Sequence, residues 1–159
     1  MTKPQTPSQT AGPYVHIGCM PNFAGITGVY GVDLGQGMIT GKAQGQHISV
    51  TGTVFDGMGA PLRDAVVEIW QADANGRLAP APDADPHFTG FGRAACDQDT
   101  GLFRFDTVKP GSLPFGDGRV QAPHITFWIV ARGINMGLHT RMYFVDEDNT
   151  NDPVLGRID

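Results

Sequence analysis

The chain reads as an all-β protein: an antiparallel β-sandwich with an extended N-terminal arm and long loops. Three observations predict this class. Short segments in which apolar and polar residues alternate recur along the chain, and period 2 is the spacing of a half-buried strand. The 22 glycines and 12 prolines exceed average usage of about 7% and about 5%, and they punctuate those segments instead of forming runs. No window of helical length carries convincing 3.6-residue periodicity, and no repeat of fixed period is present. At 159 residues the chain is long enough for one domain with a proper core. The expected organisation is an arm over residues 1–20 followed by a single sandwich domain over 21–159.

Pro4, Pro7 and Pro13 each remove a backbone donor and disfavour helix at the preceding residue, so residues 1–20 are expected to be extended. Residues 21–45 are glycine-rich, with scattered Ile, Val and Tyr, and read as irregular loop. In 47–56, Ile48, Val50 and Val54 fall on one face and Ser49, Thr51 and Thr53 on the other, which predicts a strand. Gly57-Met58-Gly59-Ala60-Pro61 is a turn. Residues 65–71 form a β-branched strand ending near Trp70. Asp73-Ala74-Asn75-Gly76 reverses the chain, because Asn and Gly tolerate positive φ. A proline-alanine-aspartate loop follows over 79–86, then a strand within 88–96 and a turn over 97–101. Residues 102–108 form a strand with Phe103 and Phe105 on one face, broken by Lys109-Pro110-Gly111. Residues 124–131 form the most apolar strand, expected to be covered on both faces. A loop over 132–137 leads to a last strand over 138–145. The tail, 146–159, is acidic and shows no clear strand.

A formal charge of −5 gives no footprint for nucleic acid or an anionic membrane. The longest apolar run, 125–131, is far too short to span a bilayer as a helix. Residues 1–10 are polar and contain no apolar segment of a secretion signal, so a soluble cytoplasmic protein is expected. Cys19 and Cys96 lack CxxC spacing, which argues for two buried or semi-buried thiols and against a disulfide framework or zinc site.

Several stretches carry more specific information. They are Val66-Val67-Glu68-Ile69-Trp70-Gln71-Ala72-Asp73-Ala74-Asn75-Gly76-Arg77, Lys109-Pro110-Gly111-Ser112-Leu113-Pro114-Phe115 and Ala122-Pro123-His124-Ile125-Thr126-Phe127. To these are added Thr6-Pro7-Ser8-Gln9-Thr10-Ala11-Gly12-Pro13-Tyr14-Val15-His16-Ile17-Gly18 and Ala131-Arg132-Gly133-Ile134-Asn135. Together they resemble the intradiol ring-cleaving dioxygenases, iron(III) enzymes that open catechols between the two hydroxyls. In that family the metal is held by two tyrosines and two histidines, hard phenolate oxygens with imidazole beside them. One tyrosine follows the Gly-Arg after the Trp-Gln-Ala strand; here Gly76-Arg77 is followed by Leu78. The second lies in Lys-Pro-Gly-x-Tyr-Pro-Trp, where this chain has Leu113. The histidines come as His-x-His, and here the pair is His124 and Thr126. Gln121 stands where catalytic chains carry an arginine.

Leucine has no donor atom and threonine is a poor donor, so three of the four positions cannot bind iron as the family does. Tyr14, Tyr30 and Tyr143 are the remaining tyrosines, and none stands at a recognisable ligand spacing from a histidine. His124 therefore reads as a buried, hydrogen-bonded histidine, with Leu78 and Leu113 as a dry apolar plug beside it.

Some members of the family are built from two homologous chains, a β chain that holds Fe(III) and an α chain with the same fold and no iron. The sequence is similar to the α chain from Thr6 to its end. The resemblance implies a non-catalytic subunit that joins the iron-binding β chain in a higher symmetric αβ assembly. Such a complex uses O2 to cleave 3,4-dihydroxybenzoate to 3-carboxy-cis,cis-muconate. It also implies that this chain binds no metal and completes the partner's substrate pocket with Thr10, Ala11, Gly12, Pro13 and Tyr14 of the arm and with Arg132. A guanidinium suits a carboxylated catechol, Gly12 permits close backbone approach, and Pro13 stiffens the arm. On residue chemistry alone, Arg132 is a surface arginine at a strand end and the arm a proline-containing tail. Family α chains continue past the segment matched by Asp152-Pro153-Val154-Leu155, so C-terminal strand structure is expected to be lacking here, and an isolated chain to be marginal or aggregation-prone.

Two alternatives belong to other classes. A self-sufficient iron dioxygenase with unusual ligands would carry stoichiometric metal. A β-sandwich binding or scaffold module without catalytic association would have no evident need for the rigid Thr10–Tyr14 arm.

Overall fold

The computed structural model describes residue 4 and residues 10–158. Residues 1–3, 5–9 and 159 lie outside the described residues, and with them Pro7 and the Thr6 to Gln9 part of the family-like stretch.

Eight strands are found among the described residues: β1 His47–Thr53, β2 Val66–Trp70, β3 Phe91–Ala95, β4 Leu102–Val108, β5 Leu113–Pro114, β6 Val120–Gln121, β7 His124–Val130 and β8 Leu138–Tyr143. All pairings are antiparallel. β1 pairs with β4, and a four-stranded sheet runs β3-β2-β7-β8. The apolar core joins these two sheets. Val50, Phe103, Phe105 and Val108 come from β1 and β4; Val67, Ile69, Ala94, Ile125 and Phe127 come from the larger sheet. Phe103 meets Phe127 with ring centroids 6.2 Å apart and planes tilted by 59°, an edge-to-face type of contact that ties sheet to sheet. The alternation expected in 102–108 is present: Phe103 and Phe105 are buried, and Leu102, Arg104 and Asp106 are exposed.

Three sequence expectations need correction. The arm is not extended throughout, because Val15–Cys19 forms a short helix, α1. The amides of Ile17 and Gly18 donate to Tyr14 O, and that of Met20 to His16 O. A single turn is too short to express a 3.6-residue period. A hairpin of β5 and β6, closed by Phe115 N donating to Arg119 O at 2.8 Å, was not expected; two-residue strands show no alternation. Finally, β7 is not covered on both faces along its length: the face with His124 is buried at its start but opens toward Trp128. Ile125 and Phe127 are buried, whereas Trp128 is 40% exposed on the opposite face. Tryptophan counts as apolar in a sequence pattern yet is often placed at surfaces that meet a partner.

The tight reversal at 73–76 brings β2 back toward the loop after β4. Gly76 has φ +72°, and a Cβ there would lie 2.0 Å from Ser112 O, so only glycine fits. Asn75 does not adopt positive φ. Asp73 holds the turn by accepting from the amides of Asn75 and Arg77, each at 2.9 Å.

Candidate functional site

Two regions bear on function: the family's iron positions, and the arm with Arg132.

His124 and Thr126 are two apart on β7 and so share its outer face. Cross-strand neighbours complete that face. Thr126 lies between Trp70 and Arg141, Trp128 between Glu68 and His139, and His124 beside Tyr143. His124 is buried, and its Nδ1–H donates to Ala122 O at 2.8 Å. Its ring stands 5.8 Å from that of Tyr143. The Tyr143 hydroxyl donates to Asp152 Oδ1 at 3.1 Å. Asp152 is itself saturated: Oδ1 also accepts from the amides of Val154 and Leu155, and Oδ2 from Ala122 N. Arg141 donates from Nη1 to Gln121 Oε1 at 2.9 Å.

The electrostatics follow from this cluster. Burial pushes the His124 imidazole below its ordinary value; the Arg141 charge adds to that, while the Ala122 carbonyl and Asp152 oppose it. Burial raises the Tyr143 phenol, with Asp152 adding to the shift and Arg141 opposing it. For Asp152 burial acts upward, but the amides of Leu155, Val154 and Ala122 together outweigh it and hold the carboxyl low. His124 Nδ1 is taken up by the Ala122 carbonyl, and both Asp152 oxygens by Tyr143 and three backbone amides, with the Arg141 guanidinium close by.

These residues do not fit iron. Leu78 and Leu113 offer no donor, Thr126 a poor one, and an arginine charge faces the cluster. Among the described residues, no group of three or more His, Cys, Asp or Glu side chains is placed to hold a metal. The apolar plug expected from Leu78 and Leu113 does not form: Leu78 is 52% exposed and Leu113 is only partly buried at the start of β5. Arg77, just before Leu78, pairs with Asp83 on an exposed loop, Nε to Oδ2 2.7 Å, and the chain follows that loop outward. His139 packs on Trp128, 6.3 Å between centroids, and shares a cavity wall with Tyr143 but not with His124.

The arm and Arg132 are brought together. Thr10 Oγ1 accepts from Gly133 N at 3.0 Å and from Gly12 N at 3.5 Å. Gly12 takes φ +75°, with nothing within 4 Å of where a Cβ would sit; the left-handed turn is what glycine supplies here. Pro13, Tyr14 and Arg132 line one cavity of about 630 Å³, while Tyr14 itself is 75% exposed. Thr10, Ala11 and Gly12 are not among its lining residues.

Sequence reasoning missed the polar residues among the further lining, His16, Arg63, Asp64 and Gln98; Ile17, Ala60 and Pro61 complete it. Asp64 Oδ2 faces Arg132 Nε at 3.3 Å. Gln98 Nε2 lies 3.4 Å from His16 Nε2. His16 lies in the family-like N-terminal stretch but was given no role there; Arg63, Asp64 and Gln98 stand in no motif, and only the fold brings 63–64 to 132.

The dioxygenase family model matches residues 21–157. The protocatechuate 3,4-dioxygenase alpha chain of Pseudomonas putida is 45% identical over 98% of this chain and 78% of its own length. The chain belongs to the intradiol dioxygenase family. A beta chain of the same enzyme, from Burkholderia cepacia, is 38% identical over 72% of this chain and 49% of its own length, so both chain types of that enzyme are family relatives. The hydroxyquinol 1,2-dioxygenase structure from Pseudomonas putida DLL-E4 superposes with a TM-score of 0.61 at 27% identity, covering 72% of this chain and 43% of that one. That solved dioxygenase thus shares the strand framework.

Proposed function

We propose that this chain is the non-catalytic α subunit of a protocatechuate 3,4-dioxygenase. In this reading the iron belongs to the homologous β chain, and the paired chains cleave 3,4-dihydroxybenzoate with O2 to 3-carboxy-cis,cis-muconate. The observation that carries the reading is a double one on a single fold. Three of the four positions at which the family resemblance puts metal ligands carry Leu78, Leu113 and Thr126, and the arm is docked beside Arg132 around an open cavity.

This chain's residues supply binding and shape. Arg132, 61% exposed, presents a guanidinium to the substrate carboxylate and can pair with it through two parallel hydrogen bonds. Pro13 and Tyr14 form a wall of the pocket, and Thr10 to Gly12 anchor them beside Arg132. Gly12 keeps that wall free of side-chain bulk, and Pro13 limits the conformations lost on ordering. The αβ pairs build a closed symmetric cytoplasmic assembly. Two homologous chains of one fold favour such an arrangement.

Co-expression with a β chain tests the reading. The two should co-purify and consume O2 when given 3,4-dihydroxybenzoate, whereas this chain alone should not. Turnover by the lone chain, or failure to associate with any family β chain, would refute it.

A further inference from the structure

We propose that Asp64 is the positioning residue for Arg132, fixing the guanidinium so that its outer edge meets the carboxylate of the substrate. The proposal rests on the α-subunit reading above and deepens it. Asp64 is 8% exposed, while Arg132 reaches into solvent with 61% of its side chain accessible. The buried carboxylate is thus the fixed end of the pair and the arginine the mobile one. Oδ2 faces Nε at 3.3 Å. A contact at Nε leaves the two terminal nitrogens unengaged by Asp64, and that pair is the fork that matches a carboxylate.

Asp64 is also unusual in its own bonding. Its Oδ1 is fully shielded and has no hydrogen-bond partner, although buried carboxylate oxygens are ordinarily satisfied. A buried aspartate with one empty oxygen and one oxygen on an arginine is poorly explained as a structural cap. Asp73, Asp85 and Asp152 in this same chain each collect several backbone amides. Asp64 does not cancel the attraction for an anion, because Arg63 lines the same cavity. Two arginines against one aspartate leave one net positive charge for one substrate carboxylate.

Holding a long side chain in one rotamer before binding reduces the freedom lost on binding. Removing Asp64 should therefore weaken recognition of the carboxylate without touching the ring chemistry. The test uses the αβ complex with D64A, D64N, R132A and D64A/R132A, each assayed with 3,4-dihydroxybenzoate and with plain catechol. D64A should raise KM for the carboxylated substrate about 3- to 10-fold, leave kcat and the catechol KM unchanged, and add nothing on top of R132A. D64N retains an oxygen that can accept from Nε, so it should fall between wild type and D64A; if D64A does not assemble, D64N carries the test.

An unchanged KM in D64A, with R132A impaired, would overturn the positioning role while leaving the α-subunit reading intact. Equal losses on both substrates, or full additivity in the double variant, would also overturn it, by assigning Asp64 a structural role. An R132A complex indistinguishable from wild type would sink both the proposal and the carboxylate-binding role on which it stands.

Discussion

Thr10 Oγ1 accepts a hydrogen bond from Gly133 N at 3.0 Å, joining residues 123 positions apart in sequence. The contact clips the N-terminal arm to the loop that presents Arg132, so two segments distant in the chain become one surface. Removing the hydroxyl should loosen the arm while leaving the sandwich intact, since both partners are exposed and remote from the core. T10A is expected to raise KM for 3,4-dihydroxybenzoate several-fold, about 2- to 10-fold for one modest hydrogen bond, with little change in Tm. T10S keeps the acceptor and should restore wild-type behaviour. Steady-state kinetics and a thermal melt of each complex check this.

Arg132 is expected to discriminate by charge. Loss of a charge-assisted pair weakens binding by about 1.5–3 kcal/mol, which predicts that R132A raises KM for the carboxylated substrate about 10- to 100-fold. The value for catechol, which has no carboxylate, should move little. Equal effects on both substrates would remove the clamp role.

His124 should make the protein less stable in mild acid. Its folded-state value is depressed below the ordinary 6.5, chiefly by burial and then by Arg141. A base that protonates more readily when unfolded favours the unfolded chain as pH falls. The native state therefore keeps its full advantage above pH 6.5 and loses it progressively below, down to the folded-state value. The Asp152 carboxyl is also held below its ordinary value, so its contribution is present above 3.8 and is lost only as pH falls below that, whereas the His124 loss begins near 6.5. The drop in Tm between pH 7 and pH 5 should be shallower in H124Q than in wild type; identical slopes would contradict the assignment.

The sequence made the strands legible wherever alternation ran long enough. β4 has the predicted bounds, 102–108, because Phe103 and Phe105 alternate with charged or polar residues. α1 and the β5–β6 hairpin escaped because one turn and two-residue strands carry no period. The apolar character of Trp128 suggested burial, whereas the structure places it on an open face with Trp70. At the site, both the expected lack of iron donors and the role of the arm came only through the family resemblance. The Asp64–Arg132 contact was not legible at all: it depends on how the turn before β2 meets the loop after β7, a relation that no local pattern encodes.

The central claim is that this chain carries no iron site of its own and serves one in its partner. The most direct measurement is iron stoichiometry by elemental analysis, on the purified chain alone and on the αβ complex. The account predicts no stoichiometric iron in the lone chain and one iron per αβ pair, unchanged in H124A. Stoichiometric iron in the lone chain, or two irons per pair with one lost in H124A, would contradict it and place a metal site around His124 and Tyr143.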